Sequence, residues 1–531
     1  MQINRIKQLA RIAWGFGIYL KKPMTLEQAK IDIKKRIDNR HSNFLALAKK
    51  LIYENQHSPY LKLLLWVGYE YEDLQDSVWH QGIENTLEKL RDEGVYITLE
   101  EFKGKVPIRR NGLTFETCQS DFDNPFLMGK SIQGSTSGSR STGTRVMYDW
   151  DFITEDSANE LMLYETHGLS NAPLALWYPG LPAISGVHNL LVNIKFRRPP
   201  ERWFSHLSDG MVGNTLKNRL SIEYLVWCCR MFGLRAPRPE FTDIHSAIKV
   251  AEWMERTKKN RGLSVVKTYT SSAVHIVQAA IEKGMDISGS VIFTGGEPLT
   301  ERRYRFIESA GVKVFPRYAA TETGIIGASC GNRNCPDDMH VYMDKLAVIQ
   351  RLRSTVVGEH KVSTFLFTSL SPNTGKVLLN TEIGDFGKLS IKPCNCLFGD
   401  LGMNLRISEV RSYDKLTGEG MTLLGTELDN IVGEVIENAG WGPDDYQFWE
   451  TQDGEALSKI IIAISPKIQN LDEKDFIDAI LKRLKSKDIG GNIASQIWSQ
   501  ADTLQVVRAY PKLTKGYKML PIIKDPEQPN F

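Results

Sequence analysis

Residues 134–146 read GSTSGSRSTGTRV: three glycines, seven hydroxyl side chains and two arginines in thirteen positions. Such a run suits the gripping of phosphate. Glycines let backbone N–H groups approach phosphate oxygens, and serine and threonine hydroxyls add donors. Ser137, Ser139, Thr142 and Thr144 are the expected donors, Gly138 and Gly143 give backbone access, and Ser135, Thr136, Ser141 and Arg145 complete the segment. A Walker loop, GxxxxGK[ST], begins to fit at Gly138 and Gly143, but Thr144 stands where the lysine must be, and GxGxxG is absent. A flexible Gly/Ser linker is the plain alternative. Linkers seldom carry two arginines or lead directly into a strand-like run such as RVMYDW.

A second chemistry is written in the cysteines. Four of the seven form two close pairs, Cys330-x4-Cys335 and Cys394-x-Cys396. Thiolates at such spacing suit a closed structural zinc site, which wants four ligands in a tetrahedron. Cys330, Cys335, Cys394 and Cys396 are the expected ligands, with His340 in reserve; the alternative is reduced core cysteines. Core burial is the simplest reading of Cys228 and Cys229 inside YLVWCCRMFG.

These residues need a frame. From Leu263 the chain alternates strand and helix: LSVVKTYT, AVHIVQAAIEKGM with Val274, Val277 and Ile281 on one face, SVIFTGG, ERRYRFIESAG and VKVF. Two successive β-α-β units imply a parallel sheet, whose ligand site lies beyond the carboxyl ends of its strands. Two loops, 294-TGGEPLT-300 and 318-YAATETG-324, leave those ends. The first hundred residues carry apolar residues at helical spacing. After about residue 410 the order strand, amphipathic helix, strand (SKIIIAISPKI, DEKDFIDAILKRLKSK, TLQVVRAY) predicts a small separate α+β domain, followed by a lysine-rich tail.

With 531 residues, 42% hydrophobic, 24% charged and a net charge of +3, the chain reads as a multidomain globular protein rather than a nucleic-acid binder. No apolar run reaches the roughly 20 residues a membrane span needs, and few cysteines are present for a secreted disulfide framework, so the cytoplasm is the expected compartment. The basic N-terminus MQINRIKQLARIAWGFGIYLKK lacks a signal-peptide pattern and reads either as a packed helix or as an amphipathic membrane-surface helix.

Five segments together carry a resemblance. The run 136-TSGSRSTGTR-145 resembles the phosphate-binding signature of the adenylate-forming superfamily, the acyl-CoA synthetases and peptide-synthetase adenylation domains; 294-TGGEPL-299, 318-YAATE-322, 383-IGDFG-387 and the tail PKLTKGYK are similar to four further segments, in the family's order. The GEP loop, the helical lead-in and the PCNC segment resemble the phenylacetate–CoA ligase-like branch. The resemblance implies an α/β fold: a large N-terminal domain (1–410, with 1–130 a largely helical lead-in) of parallel sheets flanked by helices, and a small mobile α+β C-terminal domain (411–531) carrying a catalytic lysine.

It also implies ATP-dependent conversion of a carboxylic acid into its acyl-AMP with release of pyrophosphate. The acyl group then passes to coenzyme A or, alternatively, to an amine or a carrier-protein thiol; a non-catalytic nucleotide-binding homologue is the further alternative. Thr321 would contact the α-phosphate, and Glu322 would hold Mg²⁺, which prefers carboxylate oxygen. Asp385 would accept from both ribose hydroxyls, and Tyr318, followed by Ala319, would border the adenine. Gly296, Glu297 and Pro298 would line the nucleotide and substrate. Lys518 is the first candidate for the catalytic lysine and Lys515 the second, since Gly516 is one residue removed from the usual Gly-Lys pair. Thr294–Gly296 and the Gly180–His188 region would supply the acid pocket, where His188 is either catalytic or simply packed. Two departures touch the hinge and the ribose loop: Gly418-Glu419 stands for Gly-Arg, and TEIGD for RTGD.

Overall fold

The computed structural model describes residues 14–127, 132–135, 145–181, 183–206, 215–296, 298–354, 361–412, 415–418, 421–436, 441–442, 444–452, 458–469, 471–487, 495, 498–499, 503–513, 519 and 522–524. Its N-terminal hundred residues are helical, in segments that include Leu26–Asp38, Arg40–Ala48, Pro59–Trp66, Tyr71–Gln81 and Ile83–Asp92. Local signals start them: the Thr25 hydroxyl accepts from the Gln28 N–H at 3.2 Å, and Pro59 occupies a first-turn position that needs no donor. Their apolar faces, with Phe44, Leu63, Leu74 and Leu87, form one core with Ile349, Phe365 and Phe367 of the central sheet.

That sheet has twelve strands. Pro239–Phe241, Arg202–Ser205, Leu174–Trp177, Val265–Tyr269, Val291–Gly295 and Lys313–Ala320 run parallel in that order. The expected crossovers are present as helices Thr270–Glu282 and Glu301–Ser309. Val265–Tyr269 is buried at every position, as a strand covered on both faces must be. Beyond Ala320 the sheet departs from the all-parallel expectation. Gly324–Ala328, Met339–Val341, Leu405–Ser412, Thr381–Ile391, Lys361–Ser369 and Leu346–Ser354 continue it antiparallel, because turns rather than helical crossovers connect most of them. One smaller expectation also fails. Val274 and Val277 are buried, together with Ala273, Ile276 and Ala280, but Ile281, in the last turn of its helix, is exposed.

The large sheet's last strand ends at Ser412. A second sheet then pairs Leu504–Arg508, Ser458–Ile464, Tyr446–Gln452 and Ile522–Lys524, backed by helices Gly425–Ile436 and Glu473–Lys487. Leu428, Val432, Phe448, Ile462, Phe476 and Ile480 give this α+β unit a core of its own. A buried ion pair between Arg303 and Asp444 joins it to the helix that follows the GEP segment. No helix among the described residues is long and apolar enough to cross a membrane.

Candidate active site

Val291–Gly295 ends with Gly295 opposite Arg317, close to the end of its parallel neighbour Lys313–Ala320. The segments 294–299 and 318–322 therefore leave adjacent strand ends, where a parallel sheet places its ligand. The backbones approach so closely that a Cβ on Gly295 would lie 3.2 Å from the Arg317 carbonyl oxygen. Gly296 continues the loop with φ +77°, and the Pro298 carbonyl accepts from Arg303 at 3.4 Å. Glu297 lies outside the described residues.

Residues 318–324 are less of a loop than the sequence suggests. Tyr318 and Ala319 belong to the strand itself, whose register shifts between them, and a turn of Thr321, Glu322 and Thr323 reverses the chain into Gly324–Ala328. Thr321 and Glu322 are half-buried. Gly324 has φ +73°, and a Cβ there would meet the Phe152 ring at 2.5 Å, so the turn is pressed onto helix Trp150–Thr166. The Tyr318 hydroxyl donates to Asp385 Oδ2 at 2.6 Å, which brings the YAATE and IGDFG segments together.

The strand after the hydroxyl-rich run leads into the same helix. Ser135 pairs with Arg145 in an antiparallel hairpin of Ile132–Ser135 and Arg145–Tyr148. Asp149 then caps helix Trp150–Thr166 by accepting from the Phe152 N–H at 2.9 Å. Thr136, Ser137, Gly138, Ser139, Ser141, Thr142, Gly143 and Thr144 lie outside the described residues, as do Lys515, Lys518 and Glu419. The flanks of the lysine segment, Leu513 and Met519, pair as an isolated bridge.

Behind the Glu322 turn lies an ionic layer that sequence reasoning missed. Glu155, Asp156 and Glu160 project from helix Trp150–Thr166 and are all buried. Burial pushes the Asp156 carboxyl up, but Lys345 and His188 outweigh it and hold it below the usual range. His188 Nε2 lies 2.9 Å from Asp156 Oδ2, so His188 belongs to this layer. Glu160 accepts from Lys267 Nζ at 2.7 Å and lies 3.3 Å from Arg317 Nη2. Burial, then Arg317, push Lys267 down to about 7 against the pull of Glu160. A helical reading marks charges as solvent-facing; only the packing of this helix against the sheet and against helix Ile184–Lys195 shows them to be paired and buried.

The cysteines come together with one substitution. The ligand atoms of Cys330, His340, Cys394 and Cys396 all lie within 4.8 Å of one another. Cys330 Sγ is 3.7 Å from Cys394 Sγ, and His340 Nε2 is 3.3 Å from the sulfurs of Cys330 and Cys396. Sulfurs bound to one tetrahedral zinc at about 2.3 Å lie about 3.8 Å apart, so the spacing fits. His340 Nδ1 is 2.6 Å from the Met403 carbonyl oxygen; a carbonyl only accepts, so Nδ1 carries the proton and Nε2 is the acceptor, facing the thiols of Cys330 and Cys396 and the Arg406 guanidinium, which donates to it. Three thiolates around a divalent ion would leave one net negative charge, and the buried Arg406, 3.6 Å from Cys330 Sγ, lies where it would offset it. Hydrogen bonding from Cys396 draws the Cys330 thiol well below its ordinary range, against the effect of burial.

Cys335 is not in this cluster. Its thiol lies 3.5 Å from Asp337 Oδ1, and burial with that carboxylate pushes it up to about 11, the opposite of what a ligand needs. The chain leaves Cys330 at the end of one strand and returns on the next, so the inward position falls to His340 in Met339–Val341. Two-residue alternation in DMHVY was the signal available. Gly399 closes the other pair's turn: a Cβ there would sit 1.8 Å from the Cys394 carbonyl oxygen.

No family model matches the sequence, and no curated protein matches it. Among the similar solved structures is a 2-hydroxyisobutyryl-CoA ligase in complex with 2-HIB-AMP and CoA, at 14% identity and TM-score 0.43, over 95% of this chain and 91% of that one. Others are an anthranilate CoA ligase in complex with anthranoyl-AMP (14%, TM-score 0.43, 73% and 65% covered) and an amide bond synthetase from Marinactinospora thermotolerans (12%, TM-score 0.41, 73% and 67% covered). At such identities and scores, the functional reading rests on this chain's own residues.

Proposed function

We propose that this chain is an AMP-forming carboxylate ligase. It activates an organic acid with ATP, releases pyrophosphate, and passes the acyl group to a thiol or amine acceptor: coenzyme A, an amine or a carrier protein. The observation that carries this reading is the 2.6 Å hydrogen bond from Tyr318 to Asp385, beside the strand end that carries Gly295 and Gly296. It brings the 318–322 and 383–387 segments together beside the strand end that leads into 294–299.

Acyl transfer to AMP asks little covalent chemistry of a protein. It must hold a carboxylate in line with the α-phosphorus and stabilise charge on the phosphates. Asp385, oriented by Tyr318, accepts from the ribose hydroxyls, and Tyr318 borders the base. Thr321 donates to the α-phosphate. The donors of residues 135–145 hold the β- and γ-phosphates. Glu322, half-buried in its turn, would hold Mg²⁺, which supplies charge neutralisation there. Lys518, or Lys515 in its place, bridges the acid and the α-phosphate as a flexible point charge. Cys330, His340, Cys394 and Cys396 would hold a structural zinc that ties the loop after Gly324–Ala328 to the loop after Thr381–Ile391.

ATP–pyrophosphate exchange across a panel of aryl, fatty and amino acids tests the first step. Product formation with coenzyme A, amines and carrier protein then identifies the acceptor. ATP binding without exchange for any acid would overturn the reading in favour of a nucleotide-binding homologue.

A further inference from the structure

Helix Thr215–Met231 has two apolar faces. One, with Ile222, Leu225, Val226 and Cys229, is buried in the core. The other is bare: Leu216 is 67% exposed, Leu220 59%, Tyr224 42%, Trp227 58% and Met231 67%. Spacings of four, four, three and four residues place them on a single stripe along the helix. Between them stand the exposed Lys217, Arg219 and Arg230. The helix's one acid, Glu223, is bound in both oxygens by Arg238 at 2.7 Å, so the helix itself presents cations and a paired carboxylate.

A second surface of the same kind reaches the same corner. In the helix at residues 14–21, Trp14 is 73% and Ile18 38% exposed, with Lys21 and Lys22 exposed at its end. Lys195 Nζ donates to the Tyr19 carbonyl at 3.2 Å, and the Met24 N–H donates to the Lys195 carbonyl at 2.9 Å. Two residues on, Arg197 Nη1 donates to the Phe232 carbonyl at 2.5 Å, just past the end of Thr215–Met231. Both helices thus end at the turn around Lys195–Arg197.

We infer that this corner is a docking surface for an anionic lipid membrane. Tryptophan, tyrosine and leucine interleaved with lysine and arginine are what an interfacial helix presents: apolar side chains enter the headgroup boundary while cations meet anionic phosphates. Charge argues against a second copy as the occupant. Pairing two stripes antiparallel about Tyr224 would bring Lys217 and Arg219 of one chain toward Arg230 of the other, and like charges in an interface oppose docking.

Flotation of the full chain with vesicles is the test. Vesicles of phosphatidylcholine with phosphatidylglycerol should carry the protein upward at low salt; vesicles of phosphatidylcholine alone, or high salt, should not. The double variant Leu220→Glu/Trp227→Glu should cut bound protein about tenfold or more, and Lys217→Glu/Arg219→Glu about as much. An unchanged Tm for each variant shows that the fold is kept. Absence of flotation with anionic vesicles, or flotation untouched by both variants, overturns the inference. Light scattering decides the remaining case: a dimer that Leu220→Glu/Trp227→Glu converts to a monomer would make the stripe a subunit interface and also overturn it.

Discussion

Tyr318 and Asp385 meet across 2.6 Å although their strands are not neighbours. Leu405–Ser412, Met339–Val341 and Gly324–Ala328 lie between them in the sheet. In a flat sheet, four steps of about 4.8 Å would set the two strands about 19 Å apart. The antiparallel half must therefore curl back over the ends of the parallel strands, as strongly twisted sheets do. Tyr318 also approaches Phe367, with ring centroids 6.3 Å apart, so the curl is packed as well as hydrogen-bonded.

Removing that hydroxyl separates positioning from contact. Tyr318→Phe should raise the KM for ATP about tenfold in pyrophosphate exchange, the worth of one hydrogen bond to a charged group. Asp385→Ala should cost more, because it also removes the proposed acceptor of the ribose hydroxyls. Equal ATP dependence in wild type and Tyr318→Phe would show that the bond does not position Asp385.

Glu322→Ala should abolish exchange, while Lys518→Ala should cripple exchange and spare ATP binding by calorimetry. Full exchange in Lys518→Ala with loss in Lys515→Ala would transfer the bridging role to Lys515.

Metal analysis of the purified protein should find about one zinc per chain. His340→Ala and Cys394→Ser should lose it and lower Tm, whereas Cys335→Ser should retain it. A Cys335→Ser protein stripped of zinc would contradict the ligand set.

Asp337 couples the loop between Cys330 and His340 to the strand that pairs with Asp385. Its carboxylate accepts from the Glu409 and Val410 N–H groups at 3.0 and 3.1 Å, where Glu409 is held at φ +52°. The bulge occurs here: Phe386 pairs with Arg411, but Lys388 pairs with Ser408. Asp337→Ala removes both bonds from a strained backbone and should destabilise the fold by about 3 kcal/mol in denaturant titration.

His206 stacks on Trp177, with ring centroids 4.9 Å apart, and burial, then His275, push it down to about 3. A histidine depressed in the fold contributes stability that is complete above its ordinary pKa of about 6.5 and lost as pH falls toward 3, by about 1.4 kcal/mol per pH unit. His206→Gln should flatten that acid limb of the Tm-versus-pH curve.

Local pattern alone determined much of this protein. The alternation from Val265 to Ala320, the helical lead-in and the small C-terminal unit were legible because periodicity and turn residues act over a few neighbours. The segments of the candidate site were legible as types and order. Tertiary structure decided which residues meet: His340 rather than Cys335 beside the other thiols, Asp385 against Tyr318 through the curl of the sheet, and the acids of helix Trp150–Thr166 as buried partners of Lys267, Arg317 and Lys345. Such pairings join residues scores of positions apart. They depend on strand order and twist, which no short window of sequence contains.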